Sequence, residues 1–577
     1  MNRSELRRTA LVALGFAALT IAFAYPVSMH PATTLLADNP DTHLFLWTLA
    51  WDAHALIAQP LSLFDANIYF PYSGTLAYSE NLLGSGLLAA PIIWLTGNLV
   101  LALNFVQLAS CVLCGLGAYV LARRIGISRA GAVLAGIVFL AAPPRFFRIG
   151  QLHLTAVQWV PFGLAYLHTY LDGGRKRDLR IAVAFFTLQA LTSGHGAIFL
   201  GVSMLALVIY RVALGEPLAL AKRARDLGVA GLALLVPLVW LFAPYRAAQA
   251  EVGLKRSLES WLPTPSSYLA TPSHLHQYLR ALITDTNFND TASAWLFPGV
   301  TVLIFAAMAL LPSRTLGIGD DWRARLRRNS GVFYALLALL AVWLFLPAPV
   351  GLWPYVYALP GMNFIRVPSR FMILAMLALG VAMGAGFDRL LALSDARAFA
   401  RGVEGLGASR AALRTTAAIV VGVMLIAEYA SMPLASVPFT VDIPAIDRWL
   451  DTQPKPFAIA EVPVPSPGDL GAYERQQTMA MLHSTAHWQK TIHGYSGIRP
   501  ALHQRLNLEL TAFPDETSLR SLRELGVRYV VVHEEMYPPE RRVEVDARYA
   551  RHAGDLRLEH VEGPGRIYLI LPKPPAP

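Results

Sequence analysis

Two cysteines in 577 residues cannot build a disulfide framework. Charge is also scarce: Asp, Glu, Lys and Arg make up 15% of the chain, against about 25% in ordinary soluble domains. A soluble protein of this length needs a charged shell, and there is not enough charge here to make one. The same scarcity excludes a disordered chain and a coiled coil, both of which depend on charge. The chain has no Walker A, His-Glu-x-x-His or Gly-x-Ser-x-Gly pattern, so ATP hydrolysis, zinc proteolysis and α/β-hydrolase chemistry have no support. Gly84-Ser85-Gly86 lacks the strand–turn–helix context of a dinucleotide fingerprint. Cys111 and Cys114 spell Cys-x-x-Cys inside an apolar run, where buried small residues are the simpler reading than redox chemistry.

What is abundant is hydrophobic sequence, 55% of residues with a mean hydropathy of +0.45. This composition points to a multi-spanning membrane protein. The net charge of +10 falls in short clusters between apolar runs, as in cytoplasmic loops and unlike a nucleic-acid-binding face. Eleven apolar runs are long enough or nearly long enough to span, near 9–28, 99–122, 129–142, 153–171, 179–192, 196–214, 227–243, 296–312, 331–347, 370–387 and 415–432. Arg3, Arg7 and Arg8 put the N-terminus in the cytoplasm, and alternation then places 24 Lys and Arg inside and 8 outside before residue 433. With eleven spans the tail from 433 lies outside. Run 9–28 also fits a signal peptide, but the parity closes without cleavage. Runs 129–142 and 179–192 end at Pro143-Pro144 and Ser193-Gly194 and reach only about 20 Å, so they are tilted neighbours in a thin bundle or border a cavity open to the outer face.

The segment 29–98 holds five acids, Asp38, Asp41, Asp52, Asp65 and Glu80, and no Lys or Arg. Residues 41–59 read as an amphipathic helix lying at the membrane surface, with Asp41, Thr48, Asp52 and Gln59 on one line and Trp47 and Trp51 supplying bulk. Asp52 and Gln59 then solvate its polar side. Asp38 and Asp41 stand where the helix begins and serve either as helix-terminal acids or in chemistry. Glu80 precedes a second apolar helix, 84–97, too short to span and read as re-entrant or surface-lying. It is either a helix-terminal acid or a second carboxylate facing the first pair.

A carboxylate at this place can act as general base on an acceptor hydroxyl. A phosphate-linked donor needs a cation at its leaving group, and arginine matches phosphate geometry. Four outside arginines sit at membrane depth: Arg145 and Arg148 in PPRFFRIGQLH, and Arg366 and Arg370 in NFIRVPSRF. Such groups are functional candidates by default, with snorkelling to headgroups as the alternative. Arg148 and Arg366 lie in Pro-bounded turns and are favoured. His153, closing the first of these motifs, joins them as a substrate-binding candidate.

Residues 38–98, with DNPDTHLFLWTLAWDAHAL, LFDANIYFPYSGTLAYSENLLG and PIIWLTGN, resemble bacterial multi-spanning members of the GT-C glycosyltransferase superfamily. The resemblance continues through RFFRIGQLHLTAVQWVPF, VGLKRSLE, FPGV, MNFIRVPSRF, HGYSGIRP and LRELGVRYVVVH, and so covers nearly the whole chain. It implies a GT-C-like α-helical polytopic membrane domain over 1–432, with the first external loop 29–98, and a soluble α/β domain over 433–577 outside the membrane. It also implies transfer of a hexosyl or pentosyl unit from a polyprenyl-phosphate or polyprenyl-diphosphate donor to a glycan, lipid or protein acceptor, with inversion, at the external face of a bacterial inner membrane. The essential acid of the first loop maps onto Asp41 or Asp38, and a second acid onto Glu80. Metal use varies within the superfamily: a divalent metal is compatible with the resemblance, and no metal ligand is assigned. The competing classes are a transporter or flippase for a lipid-linked saccharide and a non-catalytic envelope scaffold. Inverted repeats would favour the transporter, and none are visible.

The tail reads as strand 457–462, helices 473–483 and 516–525, strand 527–533, helix 538–552 and strands 556–562 and 566–571, an α/β order. His483, His487 and His493 fall close enough in sequence to raise a metal site, against the plainer reading of ordinary loop histidines. The basic stretch 388–414 reads as a cytoplasmic anchor.

Overall fold

The computed structural model describes residues 3–214, 217–252, 262–283, 294–311, 326, 329–347, 349–359, 362, 365–400, 407–466 and 468–572. Residues 253–259 of the motif VGLKRSLE and most of segment 312–328 lie outside the described residues. The chain divides into two compact units, one of residues 1–31, 104–239 and 255–436, the other of residues 32–103, 240–254 and 437–577.

The first unit is helical. Each apolar run contains a helix: Arg3–Phe23, Leu99–Arg124, Arg129–Ala141, Trp159–Gly173, Lys176–Thr192, Gly194–Ala213, Pro217–Val252, Val300–Met308, Ser330–Trp343, Met372–Ala400 and Gly407–Tyr429. Among the described residues, six helices are long and apolar enough to cross a membrane. Arg129–Ala141 has 13 residues and Val300–Met308 only 9, short of the roughly 20 that a hydrocarbon core requires. Met372–Ala400 is the central element, packing on Arg129–Ala141, Val300–Met308 and Ser330–Trp343. Its contact with Arg129–Ala141 depends on two glycines, since a Cβ on Gly131 would stand 2.5 Å from the Gly384 carbonyl oxygen. Such close backbone approach is how apolar helices associate where no water drives them together.

The FPGV motif has a structural reason. Gly299 takes φ +104°, and a Cβ there would lie 3.0 Å from the Glu428 carboxyl carbon. Glu428, 2% exposed, accepts hydrogen bonds from the Val300 N–H, the Thr301 N–H (3.1 Å) and His276 Nε2 (2.8 Å). It thereby satisfies the orphan amides that open Val300–Met308.

The second unit joins residues 32–103 to the tail. Strand β1 (Thr34–Leu35) pairs antiparallel with β2 (Val437–Pro438). A five-stranded sheet follows, β3 (Ala458–Val462), β4 (Lys490–Thr491), β5 (Tyr529–His533), β6 (Leu556–Glu562) and β7 (Gly565–Ile570), in the order β4-β3-β5-β7-β6. The pairs β3–β4 and β3–β5 are parallel, and β5–β7 and β7–β6 antiparallel. One face of β3 and β5, with Ala460, Val462, Val530 and Val532, packs on helices Glu516–Leu525 and Pro539–Arg551. The other, with Ile459, Tyr529 and Val531, packs on helix Ala445–Asp451.

Segment 67–70 is tied to the tail by its backbone. The Tyr69 N–H donates to the His493 carbonyl at 3.0 Å, the Phe70 N–H to Thr491 at 2.9 Å, and the Thr491 N–H returns to Asn67 at 2.8 Å. Gly494 lies flat on Tyr69, so that a Cβ would meet the ring at 2.7 Å.

Residues 41–59 form the expected helix, Pro40–Ala58, but it is not a surface helix with a solvated polar side. Residues Thr42 to Ala53 are all buried, Asp52 completely. The polar line faces other parts of the same unit. The second apolar helix, Leu83–Thr96, packs against it.

Candidate functional site

The acids of the second unit separate into two groups. At the start of Pro40–Ala58 the cap is Asn39, whose side chain accepts the Thr42 N–H at 2.9 Å. Neither Asp38 nor Asp41 fills that role. Asp41, in the first helical turn, is exposed and favoured there by the helix dipole. Its Oδ1 accepts the Tyr495 hydroxyl at 2.8 Å. Burial, reinforced by the Asp41 charge, holds the Tyr495 hydroxyl well above the ordinary phenol range, so it stays a donor.

Asp38 is more heavily engaged. Both its oxygens lie 2.9 Å from Arg475 Nη1, and Oδ1 lies 2.7 Å from His43 Nε2. His43 is fully buried, stacked on Phe439 at 5.1 Å, with Nδ1 3.0 Å from Thr478 Oγ1. Burial lowers the His43 pKa, with Asp38 opposing. Nε2 faces Asp38, and the Thr478 hydroxyl that faces Nδ1 also donates to the Arg475 carbonyl at 3.0 Å.

Glu80 belongs with Asp52, not with this pair. Both act on Tyr245, whose hydroxyl accepts the Asn81 N–H and Nδ2–H, each at 2.9 Å. Asp52 packs on the first turn of Leu83–Thr96, where a Cβ on Gly86 would lie 2.5 Å from Oδ2. Burial pushes its pKa well up. Eleven residues of helix put it about 16 Å from Asp41. A cavity of about 580 Å³ lies farther along the same helix, lined by His54, Ile57, Trp94, Val441 and Trp488 among others, and contains none of the acids.

In the first unit the four arginines divide by environment. Arg145 is completely buried and spends its fork on protein. Nη1 donates to the Leu140 carbonyl at 2.9 Å, and Nη2 to the Thr155 carbonyl at 3.2 Å and to Cys114 Sγ at 3.1 Å. Cys111 Sγ lies 3.7 Å away. Arg145 is thus an internal strut in this structure, and the Cys-x-x-Cys pair is where it rests. Arg148, 1% exposed, reaches Gln151 Oε1 at 3.3 Å. Arg370 Nη1 donates to His195 Nε2 at 2.9 Å, and the His195 ring lies 5.3 Å from that of His153. Arg366 is exposed, two residues before the short helical turn Pro368–Phe371. His153 and Arg370 are thus brought together through His195, which follows directly on the Ser193-Gly194 that ends run 179–192. The geometry there is specific: Ser193 caps helix Gly194–Ala213, and a Cβ on Gly196 would collide with the Gln189 amide.

Arg475 and Tyr495 were not singled out either. Tyr495 lies in HGYSGIRP, a motif already marked by resemblance, whereas Arg475 sits on a polar helix with no local signal. Of the three histidines considered for metal, His493 is committed elsewhere: Nε2 accepts the Glu461 N–H at 2.7 Å and Nδ1 lies 3.3 Å from Gln477. His487 Nδ1 accepts the Gln489 N–H at 2.9 Å.

No protein-family profile and no curated protein matches the chain. Among solved structures it is similar to the arabinofuranosyltransferase AftD from Mycobacteria, at 17% identity and TM-score 0.57, over 99% of this chain and 40% of that one. It is also similar to the oligosaccharyltransferase AglB from Archaeoglobus fulgidus in complex with an inhibitory peptide and a dolichol-phosphate, at 13% identity and TM-score 0.47, over 93% of this chain and 70% of that one. A third is ArnT from Cupriavidus metallidurans bound to undecaprenyl phosphate, at 13% identity and TM-score 0.47, over 99% and 98% of the two chains. The chain spans less than half the length of the arabinofuranosyltransferase. Helices long enough to span a membrane, joined in one chain to a small sheet unit that holds Asp38 and Asp41, give this protein a fold similar to that of the arabinofuranosyltransferase AftD.

Proposed function

We propose that the chain is a GT-C-type membrane glycosyltransferase. It moves a hexosyl or pentosyl unit from a polyprenyl-(di)phosphate donor to a hydroxyl of a glycan, lipid or protein acceptor, at the external face of a bacterial inner membrane. The observation that carries the reading is the contrast between two neighbouring carboxylates. Asp38 is paired with Arg475 and hydrogen-bonded to His43, while Asp41 is exposed and held by one hydroxyl.

In this reading Asp41 is the base and Tyr495 fixes its rotamer. Asp41 takes the acceptor proton, the acceptor oxygen attacks the anomeric carbon, and the bond from that carbon to the phosphate oxygen breaks with its electron pair going to the phosphate. A single displacement inverts the anomeric centre. Arg148, Arg366 and Arg370, with His153 and His195, serve the leaving phosphate, since guanidinium and imidazole N–H groups suit its oxygens. Asp38 is a positioning residue, and Glu80 has no step. A divalent metal does not fit at Asp38 in this arrangement, because both oxygens already face the Arg475 guanidinium.

The test is transfer of labelled sugar from polyprenyl-phosphate donors by the purified protein in nanodiscs. Wild type transfers and Asp41→Asn does not. Undiminished transfer by Asp41→Asn removes the base assignment, and movement of the lipid-linked sugar across the bilayer without transfer replaces the enzyme with a transporter.

A further inference from the structure

One buried cluster in the tail plays no part in this chemistry. Glu461 lies on β3 and His533 ends the neighbouring parallel strand β5. Glu461 pairs in register with Val531, so His533, two residues on, projects from the same face. Helix Leu470–His483 ends at the same place with His483, and helix Ala445–Asp451 covers that face with Asp447. The side chains of Asp447 and Glu461 are 0% and 2% exposed. Polar groups this deep require partners.

Several have none. Among the described residues, neither carboxylate oxygen of Asp447 accepts a hydrogen bond from another residue, and Glu461 Oε1 and His483 Nδ1 are also buried without one. His483 Nδ1 stands 3.8 Å from Glu461 Oε2, too far for a hydrogen bond. His533 Nε2 lies 2.9 Å from the same oxygen. One ligand atom from each of Glu461, His483 and His533 falls within 4.8 Å of the others. Zinc bonds of about 2.0–2.1 Å to nitrogen and oxygen give a tetrahedron with edges of about 3.3 Å, inside that spread.

We propose that Glu461, His483 and His533 bind one zinc ion, with the unpartnered Asp447 carboxylate turning in as the fourth ligand, so that the ion staples two strands and two helices of the tail. Two imidazoles and two carboxylates form a neutral set around a divalent ion. Nitrogen donors in a four-fold site favour zinc over calcium or magnesium, which take six or more oxygens. The surroundings match what metal-bound histidines have. His533 Nδ1 lies 3.5 Å from Glu535 Oε1, which orients the ring with Nε2 inward. His487 Nε2 lies 4.0 Å from Asp447 Oδ1, on the side facing that carboxylate.

The experiment uses the full chain, purified without a histidine tag or chelator. Elemental analysis should find about one zinc per chain in wild type and in His552→Gln, a distant control, and little in His483→Gln. Chelation should lower the unfolding temperature of wild type and added Zn²⁺ restore it, with no such response in His483→Gln. Co²⁺ in place of Zn²⁺ should give the intense visible absorption of a tetrahedral site. Wild type without stoichiometric metal and without a Zn²⁺-dependent shift overturns the proposal, as does full retention of zinc by His483→Gln. If the variant does not fold, chelation and re-addition on wild type decide alone.

Discussion

Asp38 and Asp41 stand three residues apart, and the proposed mechanism ranks them. Replacing Asp41 by asparagine keeps an oxygen to accept the Tyr495 hydroxyl, so the local fold holds while the capacity to take a proton is lost. A general base contributes about 10²–10⁴-fold, or roughly 3–5 kcal/mol of barrier. Asp38→Asn removes instead an ion pair whose side chains are 28% and 52% exposed. Solvent screens such a pair to about 0–1 kcal/mol. The asparagine amide oxygen also remains as an acceptor for His43. The expected cost is therefore less than about fivefold in rate. The assay is initial-rate transfer from a labelled polyprenyl-phosphate sugar to a membrane lipid extract, with unfolding temperatures measured alongside. At equal unfolding temperature, a larger loss in Asp38→Asn than in Asp41→Asn refutes the ranking.

Three further outcomes follow from the geometry. Arg145→Met strands the Leu140 and Thr155 carbonyls at about 1–3 kcal/mol each, so folded yield should fall while the surviving protein keeps its donor KM; Arg370→Met should raise donor KM with little change in yield. Burial holds His493 at about 4 and His503 at about 3 in the folded chain, below the 6.5 of a free imidazole. The unfolded tail binds more protons below pH 6.5, so stability falls as pH drops from 6.5 toward 4, by about 2 kcal/mol per ring at pH 5, and a flat thermal-unfolding profile from pH 7 to 5 would contradict it. Gly494→Ala drives a methyl into the Tyr69 ring at 2.7 Å, and overpacking of this kind costs about 1–3 kcal/mol, readable as a lower unfolding temperature.

Much of the fold was legible because its signals are local. Apolar runs mark the helices, and the short, strongly β-branched strand Tyr529–His533 marks itself. Elements without local signal were not foreseen. Strand β4 is two residues long, helix Ala445–Asp451 seven, and helix Ala501–Leu510 carries a mixed polar sequence. The helix Pro40–Ala58 shows the limit most clearly. Its polar line was readable from spacing, but its burial depends on distant residues. Tyr495, which meets Asp41, is 454 residues away, and Arg475, which meets Asp38, is 437.

The same reasoning separates the two carboxylate chemistries of the second unit. Sequence proximity grouped Asp38 with Asp41, and grouped His483 with His487 and His493. Proximity was informative in the first case because one helix start holds both acids, with Asn39 relieving them of the capping role. In the second case strand register, rather than spacing, sets which side chains meet. Glu461 opposite Val531 places His533 on the cluster's face, while His493 turns both nitrogens to Glu461 N–H and Gln477. A carboxylate that stays exposed beside a single hydroxyl is suited to accept a proton. One buried with unpartnered oxygens among imidazoles is suited to hold a cation. The acids of this unit divide on that difference in environment, which is set by contacts more than 400 residues apart at Asp41 and by one strand register at Glu461.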